Sequence, residues 1–319
     1  MSIHDALGTR MKTFYEAVPK TRLIRRMPVA IRIDGKAFHT FTRGFQKPFD
    51  EVLGNAMVRT MEYLCKNIQG CIFGHIQSDE ITLLLIDYQT LETSAWFDYE
   101  VQKMCSIAAS MATMAFNKFF DSEVRKWAYE NQSNPNINDL RNTYYNATLK
   151  GAMFDARCFN IPKEEVTNLI YWRQLDAIRN SIQMVGQANF SHNELQGCSC
   201  LVIQDMLRKQ RDIDWNDFPT RWKRGACAVR RPGKLEIERK VIEKEFGEPE
   251  VREIAHQYQE WVIDYEMPIL KGEDRKYVDV SVNVVIFVMC QPIIYRQVIH
   301  NHVVVYRDIP QEKIKLKKF

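Results

Sequence analysis

Two apolar runs between Val29 and Ile86 each meet an acidic signal, and the segment joining them leaves few ways to fold. Val29-Ala30-Ile31-Arg32-Ile33-Asp34-Gly35 is an alternating β-branched run that stops at Asp-Gly. Cys71-Ile72-Phe73-Gly74-His75-Ile76-Gln77 leads into Ser78-Asp79-Glu80, and Ile81-Thr82-Leu83-Leu84-Leu85-Ile86 follows at once. Between the two, Leu53, Met57, Met61, Leu64 and Ile68 recur at helical spacing. The pattern predicts a strand, a helix, and then a hairpin with Ser78-Asp79-Glu80 at its turn.

With the strands of Asp34 and Asp79 side by side, two carboxylates converge at one end of a sheet. A hard cation such as Mg2+ takes few protein carboxylates and completes its shell with water and substrate phosphates. Paired ions of this kind activate an attacking hydroxyl and stabilise a leaving pyrophosphate. Gly35, lacking a Cβ, lets the backbone approach phosphate closely. The ordinary reading stands beside this one: Asp-Gly after a strand marks a turn, and Ser-Asp-Glu suits a turn or a helix cap.

A chain of 319 residues buries a sizeable core in one large domain or two smaller ones. Its 45% hydrophobic and 26% charged residues are those of an ordinary soluble protein, and a net charge of +4 is too small to establish nucleic-acid binding. The eight cysteines are scattered with no CxxC pair, which points to reduced thiols rather than a zinc site or a disulfide framework. The first thirty residues alternate charged and apolar groups, unlike a signal peptide, so the expected location is the cytoplasm. The apolar run Val278–Met289 is too short and too interrupted to span a bilayer, and no membrane partner is expected.

Further along, residues 4–18 read as an amphipathic helix with Leu7, Met11, Phe14 and Tyr15 on one face. Val101, Met104, Cys105, Ala108, Met111, Ala112, Ala115 and Phe119 mark a long helix. Ala152–Phe159 reads as a strand whose Asp155 and Arg157 share a face, as an ion pair or as contacts to phosphate. Pro162 opens a helix that carries Trp172, Arg173, Gln174, Asp176, Arg179 and Asn180. Between Leu207 and Arg231 basic residues interleave with Trp215, Phe218 and Trp222, which suits a structured RNA or, equally, a solvated surface. Glu236–Glu248 reads as exposed and Val251–Tyr265 as helical. Val278–Met289 and Ile293–Tyr306 read as a hairpin around Gln291-Pro292. His300 and His302 share a face there, and the end of the chain is lysine-rich.

Taken together, Arg32-Ile33-Asp34-Gly35-Lys36-Ala37-Phe38-His39, Lys47-Pro48 with Asp50, and Gln77-Ser78-Asp79-Glu80 resemble the tRNA-His guanylyltransferase family and its relatives, the 3′-to-5′ RNA polymerases. Phe154-Asp155-Ala156-Arg157 and Tyr171-Trp172-Arg173-Gln174-Leu175-Asp176-Ala177 resemble further family segments. The likeness spans roughly residues 5–230. The resulting expectation is an α+β fold: an antiparallel palm-like (ferredoxin-like) sheet packed by long helices, with a C-terminal α+β extension. The division expected is a catalytic core over 1–150, a region over 151–234 that completes it and contacts RNA, and an extension over 235–319.

The resemblance implies an enzyme that adds nucleotides to the 5′ end of tRNA. A 5′-monophosphate is activated with ATP or GTP, the 3′-hydroxyl of an incoming GTP attacks, and pyrophosphate leaves. Asp34, Asp79 and the Gly35 carbonyl would hold two Mg2+ ions, with Glu80 in support. Lys36, Ala37, Phe38, His39, Lys47, Asp50, Ser78 and Lys103 would contact nucleotide. Arg157, Arg173, Arg179, Asn180, Arg221, Lys223 and Arg224 would contact RNA. A homotetramer is implied as well. Two departures stand out: Phe49 replaces a polar Asn, and Ala177-Ile178-Arg179-Asn180 replaces the His-Ile-Asn-Asn of histidine-tRNA enzymes. The second departure resembles bacterial and archaeal members that act as template-dependent repair polymerases. A palm-type nucleotide cyclase and a nonenzymatic RNA-binding protein are the other readings.

Overall fold

The computed structural model describes residues 6–133, 137–242 and 250–283. The chain divides into two compact units, residues 1–232 with 259–289 and residues 233–258 with 290–319. Every site residue named above lies in the first.

Helix α1 (Ala6–Met11) runs into one π-helical turn, Lys12–Glu16. Strand β1 (Val29–Gly35) leads through the short α2 (Phe38–Phe41) into α3 (Glu51–Asn67). The hairpin β2 (Cys71–Gln77) and β3 (Glu80–Leu85) follows, then the thirty-residue α4 (Val101–Glu130) and α5 (Asn138–Lys150). Strand β4 (Phe154–Asn160) returns to the sheet, and α6 (Lys163–Asn189) crosses it. Three shorter helices, α7 (His192–Leu195), α8 (Cys200–Arg211) and α9 (Thr220–Arg224), precede β5 (Ala226–Ile242), β6 (Glu250–Asp264) and α10 (Lys276–Asn283).

The six strands lie in the order β4-β1-β3-β2-β5-β6. The first four, with α3 and α4 as crossovers, make the ferredoxin-like arrangement expected from the sequence. In β1, Asp34 stands opposite Glu80 of β3 on one side and Asp155 of β4 on the other. Residues directly opposite in an antiparallel pair point to the same face, so this register collects three carboxylates on one side of the sheet.

Period-two alternation divides the sheet into two unlike faces. Val29, Ile31, Ile33, Ile81, Leu83 and Leu85 enter the main core, where α3 and α4 supply Met57, Met61, Leu64, Met104, Ala108 and Phe116. Ala30, Phe73, Leu84 and Ile86 point the other way, onto Val166, Leu169 and Ile170 of α6. On that second face the next residues toward the β1 C-terminus are polar: Arg32, Asp34, His75, Gln77, Glu80 and Thr82. Helix α6 changes in step, passing from Ile170 to the buried Arg173 and Gln174.

Several expectations are corrected. Residues 4–18 are not one helix: an i→i+5 turn follows Met11 and breaks the 3.6 period, and Leu7, Met11, Phe14 and Tyr15 all stand exposed. Residues 251–264 form strand β6, not a helix. Trp261 and Ile263, two apart, pack on the cluster that holds Ala226 and Ala228, so cover for the β5 edge outweighs an ambiguous periodicity. Strand β5 takes in the first part of the segment read as exposed, up to Ile242, and the rest of that segment lies outside the described residues. Residues 278–283 are helical: Val278 is fully buried against the α6 side of the sheet, and Thr167 donates to Asp279 at 2.5 Å. The rest of the predicted hairpin, His300, His302 and the lysine-rich end lie outside the described residues. No described helix is long and apolar enough to cross a membrane.

Candidate active site at the end of β1 and β3

The turn between β2 and β3 is two residues long, Ser78-Asp79, because Gln77 pairs with Glu80. Ser78 takes φ +47°, a left-handed conformation that costs an L-residue about 1–2 kcal/mol. The turn is tied to β1 by the Gly35 N–H, which donates to the Asp79 carbonyl at 3.2 Å. Gly35 has an immediate packing reason for lacking a side chain. A Cβ there would stand 2.2 Å from the Phe38 ring, which is itself fixed among Phe41, Phe116 and Phe154. The backbone therefore brings Asp34, Gly35 and Asp79 together.

Of the four carboxylates at this end, Glu80, Asp34 and Asp79 have unlike surroundings. Glu80 Oε2 accepts from Arg32 at 2.6 Å and from Arg173 at 2.8 Å, and Arg173 also meets Asp176 at 3.1 Å. Burial alone would push the Glu80 carboxyl up. The two guanidiniums more than offset it and hold Glu80 below the ordinary glutamate value. Asp34 and Asp79 have no such neutralisation. Burial raises Asp34 first, and the charges of Glu80 and Asp155 raise it further. Burial likewise raises Asp79, and the Asp34 charge adds to it. Among the described residues no group of three or more His, Cys, Asp or Glu side chains forms a ready cation cage. Two under-neutralised oxygen donors fit Mg2+, which takes one or two carboxylates and leaves other positions to water and phosphate.

The predicted nucleotide residues do not share one fate. Lys36 and Ala37 are exposed in the loop that leaves β1, with Ala37 at φ +55°, His39 is exposed on α2, and Lys47 is exposed in the loop that follows it. The Lys36 N–H donates to the Met153 carbonyl at 2.8 Å, which holds the loop against the entry to β4. Phe38 is a core side chain. Asp50 is the N-cap of α3, and its carboxylate accepts from Leu53 N at 2.9 Å, Gln46 N at 3.0 Å and the Tyr144 hydroxyl at 2.7 Å. These three bonds tie the loop to α3 and α5. Lys103 sits on α4, on the opposite side of the sheet, with its ammonium 5.0 Å from the Phe97 ring centroid. Its neighbour Cys105 approaches Cys158, toward the far end of β4 from Asp155, so the fold does not bring Lys103 to the acidic turn.

The predicted RNA residues differ in burial. Arg173 is only 4% exposed, whereas Arg179 pairs with Asp176 and stays 62% exposed. Arg221 donates to Glu51 at 2.8 Å and Asn55 at 3.1 Å, Lys223 to the Asn216 carbonyl, and Arg224 to the Met267 carbonyl at 3.0 Å. Trp215 and Phe218 pack on a small core of Ile182, Val185, Phe190, Ile203 and Leu207. The aromatic residues of this stretch thus serve this chain's own packing, while Arg208, Lys209, Arg211, Arg230 and Arg231 stand exposed. Phe49, the first departure, stacks on Trp222 at 5.2 Å beside a cavity of about 90 Å³ that Gln77, Ser78, Asn180 and Ser181 also line. Arg157 remains half-open, paired with Asp155 at 3.2 Å.

Sequence reasoning missed the clamp of Arg32 and Arg173 on Glu80. Its signal was there in part, since Arg32 lies two residues before Asp34 and must share its face.

A ferredoxin-like sheet with two under-neutralised aspartates at one end and exposed lysines nearby fits a nucleotidyltransferase of the palm type. Comparison with known proteins agrees. The profile of the tRNA(His) guanylyltransferase (Thg1) family matches residues 8–162. A bacterial tRNA(His) guanylyltransferase (Thg1)-like protein in complex with ATP is 36% identical over 87% of this chain and 99% of that one, with a TM-score of 0.67. Its complex with GTP covers 88% of this chain and all of that one at the same identity, with a TM-score of 0.61. A probable tRNA(His) guanylyltransferase of Dictyostelium discoideum is 25% identical over 66% of this chain and 78% of that protein. The chain belongs to the tRNA(His) guanylyltransferase (Thg1) family.

Proposed function

We propose that this enzyme adds nucleotides to the 5′ end of a tRNA, in the 3′-to-5′ direction, with Mg2+ held by Asp34, Asp79 and the backbone carbonyl of Gly35. The observation that carries the reading is the union of Asp34 and Asp79 through the Gly35–Asp79 hydrogen bond, with both carboxylates short of positive charge. Bound there, the ions would offset phosphate charge and acidify the attacking hydroxyl. Lys36 and Lys47, exposed in the neighbouring loops, would attract the triphosphate as point charges. In this reading Glu80 supports the site by keeping Arg32 and Arg173 in place. The chemistry follows the order the family resemblance implies. The RNA 5′-monophosphate attacks ATP or GTP, releasing pyrophosphate and forming a 5′-to-5′ linked intermediate. The 3′-hydroxyl of the incoming GTP then attacks the activated RNA phosphate and displaces AMP or GMP, and hydrolysis finally removes pyrophosphate from the new 5′ end.

Within the family, templated repair is the better-supported substrate choice. Ala177 and Arg179 stand where histidine-tRNA enzymes carry another motif, and the match to the bacterial Thg1-like protein runs nearly the full length of that chain. The test uses full-length tRNA-His and a 5′-truncated tRNA with labelled GTP and Mg2+, varying the nucleotide opposite the new position. Incorporation that follows Watson–Crick pairing on the truncated RNA supports repair. One G added to full-length tRNA-His regardless of the opposing base means a dedicated guanylyltransferase. Product formed from free nucleotides without RNA would mean a cyclase. Asp34→Ala and Asp79→Ala should each abolish addition in a folded protein, and near-normal activity in either would remove the metal assignment.

A further inference from the structure

Trp172 projects from α6 with 50% of its surface exposed. Scattered apolar residues on a surface are ordinary, and Trp172 lies off the buried α6 stripe of Ile170, Arg173, Gln174 and Ala177. Its neighbours set it apart. The Arg173 guanidinium lies 3.7 Å from the centroid of its ring and the Arg32 guanidinium 5.3 Å away. Both guanidiniums are fixed by the same oxygen of Glu80. Arg32 and Asp34 point to the same face of β1, about 7 Å apart along the strand. An indole is therefore held in place beside the acidic turn, with half its surface open.

We propose that the open surface of Trp172 stacks a nucleobase, supplied either by the incoming nucleotide or by the RNA end being extended. The proposal rests on the reading of Asp34 and Asp79 as the reaction centre and adds to it a residue that positions a base. The physical case is preorganisation. Trp has only two side-chain torsions, and here the ring is already pinned, so a base that stacks on it loses little to ordering the protein. Stacking also tolerates any base, because each has a π-face, which is the property a templated enzyme needs from such a contact.

The test measures binding without turnover, in the absence of Mg2+, for the full chain and for Trp172→Leu and Trp172→Phe. Two nucleotide probes are GTP and inorganic tripolyphosphate. Two RNA probes are a truncated tRNA with an intact 5′-terminal base and the same RNA with an abasic 5′ residue. Trp172→Leu should weaken the base-bearing ligand by roughly five- to 150-fold and leave its baseless counterpart unchanged, while Trp172→Phe keeps most of the preference. A loss confined to GTP assigns the stack to the incoming nucleotide, and a loss confined to the intact RNA assigns it to the RNA end. Equal loss for base-bearing and baseless ligands, or no loss in any of the four, overturns the proposal. A second measurement needs no leucine variant: 19F-tryptophan spectra of the otherwise unaltered chain, with the Trp172 signal assigned by Trp172→Phe. That signal should move with a base-bearing probe and not with its baseless counterpart, and a signal that ignores both overturns the stack. Failure of the proposed function would show instead as absent incorporation by the wild-type chain, a separate readout.

Discussion

Replacing Glu80 with Gln keeps the shape of the side chain and removes the charge that two guanidiniums share. In the folded protein Glu80 Oε2 accepts at 2.6 Å from Arg32 and at 2.8 Å from Arg173. A hydrogen bond to a charged group contributes about 1.5–3 kcal/mol, and an uncompensated buried charge costs about 3–5 kcal/mol. Arg173 keeps Asp176 at 3.1 Å, and Gln retains one acceptor oxygen, so the loss falls short of the full sum. Glu80→Gln should therefore destabilise the fold by about 2–4 kcal/mol. For a chain of this size that lowers Tm by roughly 3–6 °C. Urea titration followed by circular dichroism at pH 7 measures it, with the slope against denaturant unchanged.

The same experiment repeated against pH checks the cause. The folded-state pKa of Glu80 is depressed, so its contribution is complete above the unfolded carboxyl value of about 4.3. It is lost as pH falls through the lower folded value. The gap between wild type and Glu80→Gln should accordingly be constant near neutrality and close under acid conditions below about pH 4.3. A variant within about 0.5 kcal/mol of wild type at pH 7, or a gap that widens in acid, would refute the clamp.

Asp79 behaves oppositely. Its folded pKa is raised, so stability is greater with the carboxyl protonated and falls as pH rises through the shifted value. Asp79→Asn should raise the Tm of the metal-free protein near neutral pH while abolishing nucleotide addition. Mg2+ should stabilise the wild type in a concentration-dependent way and this variant far less, and equal Mg2+ stabilisation of both would count against Asp79 as a ligand. Gly35→Ala forces a methyl to within 2.2 Å of a ring carbon in a filled aromatic cluster and should cost about 1–3 kcal/mol in thermal unfolding, whether or not nucleotide is present.

Much of this was legible in the sequence, for a physical reason. Strand alternation in Val29–Gly35 and the continuous apolar run after Glu80 specify which faces are buried, and burial fixes register. The hairpin and the meeting of Asp34 with Asp79 follow from that. What stayed hidden depends on partners distant in sequence. Arg173 and Arg221 looked like surface cations because nothing local shows that Glu80 lies 93 residues from the one and Glu51 170 residues from the other. Asp50 matched a nucleotide motif, yet Tyr144, 94 residues away, takes up one of its oxygens. Residues 251–264 fit both a helical and a strand period, and only the open edge of β5 decides between them.

The division of labour among the three carboxylates also comes from register rather than from residue type. Asp34 and Glu80 face each other across one rung, and Arg32 stands on the same face one step along β1. A glutamate reaches back along the strand to that arginine and to Arg173 above it, and so becomes neutralised. Asp79 lies outside the ladder on the turn, and the charges that act on it are those of Asp34 and Glu80, with no arginine to offset them. Two residues of β1, spaced i and i+2, thus supply one cation that satisfies Glu80 and one carboxylate that stays unsatisfied with Asp79. Moving the arginine by one residue would turn it into the apolar core. Moving the hairpin register by one would separate Asp34 from Glu80. A cation-demanding pair beside a neutralised one therefore requires this β1–β3 register, and the apolar packing on the opposite face, against α3 and α4, holds it in place.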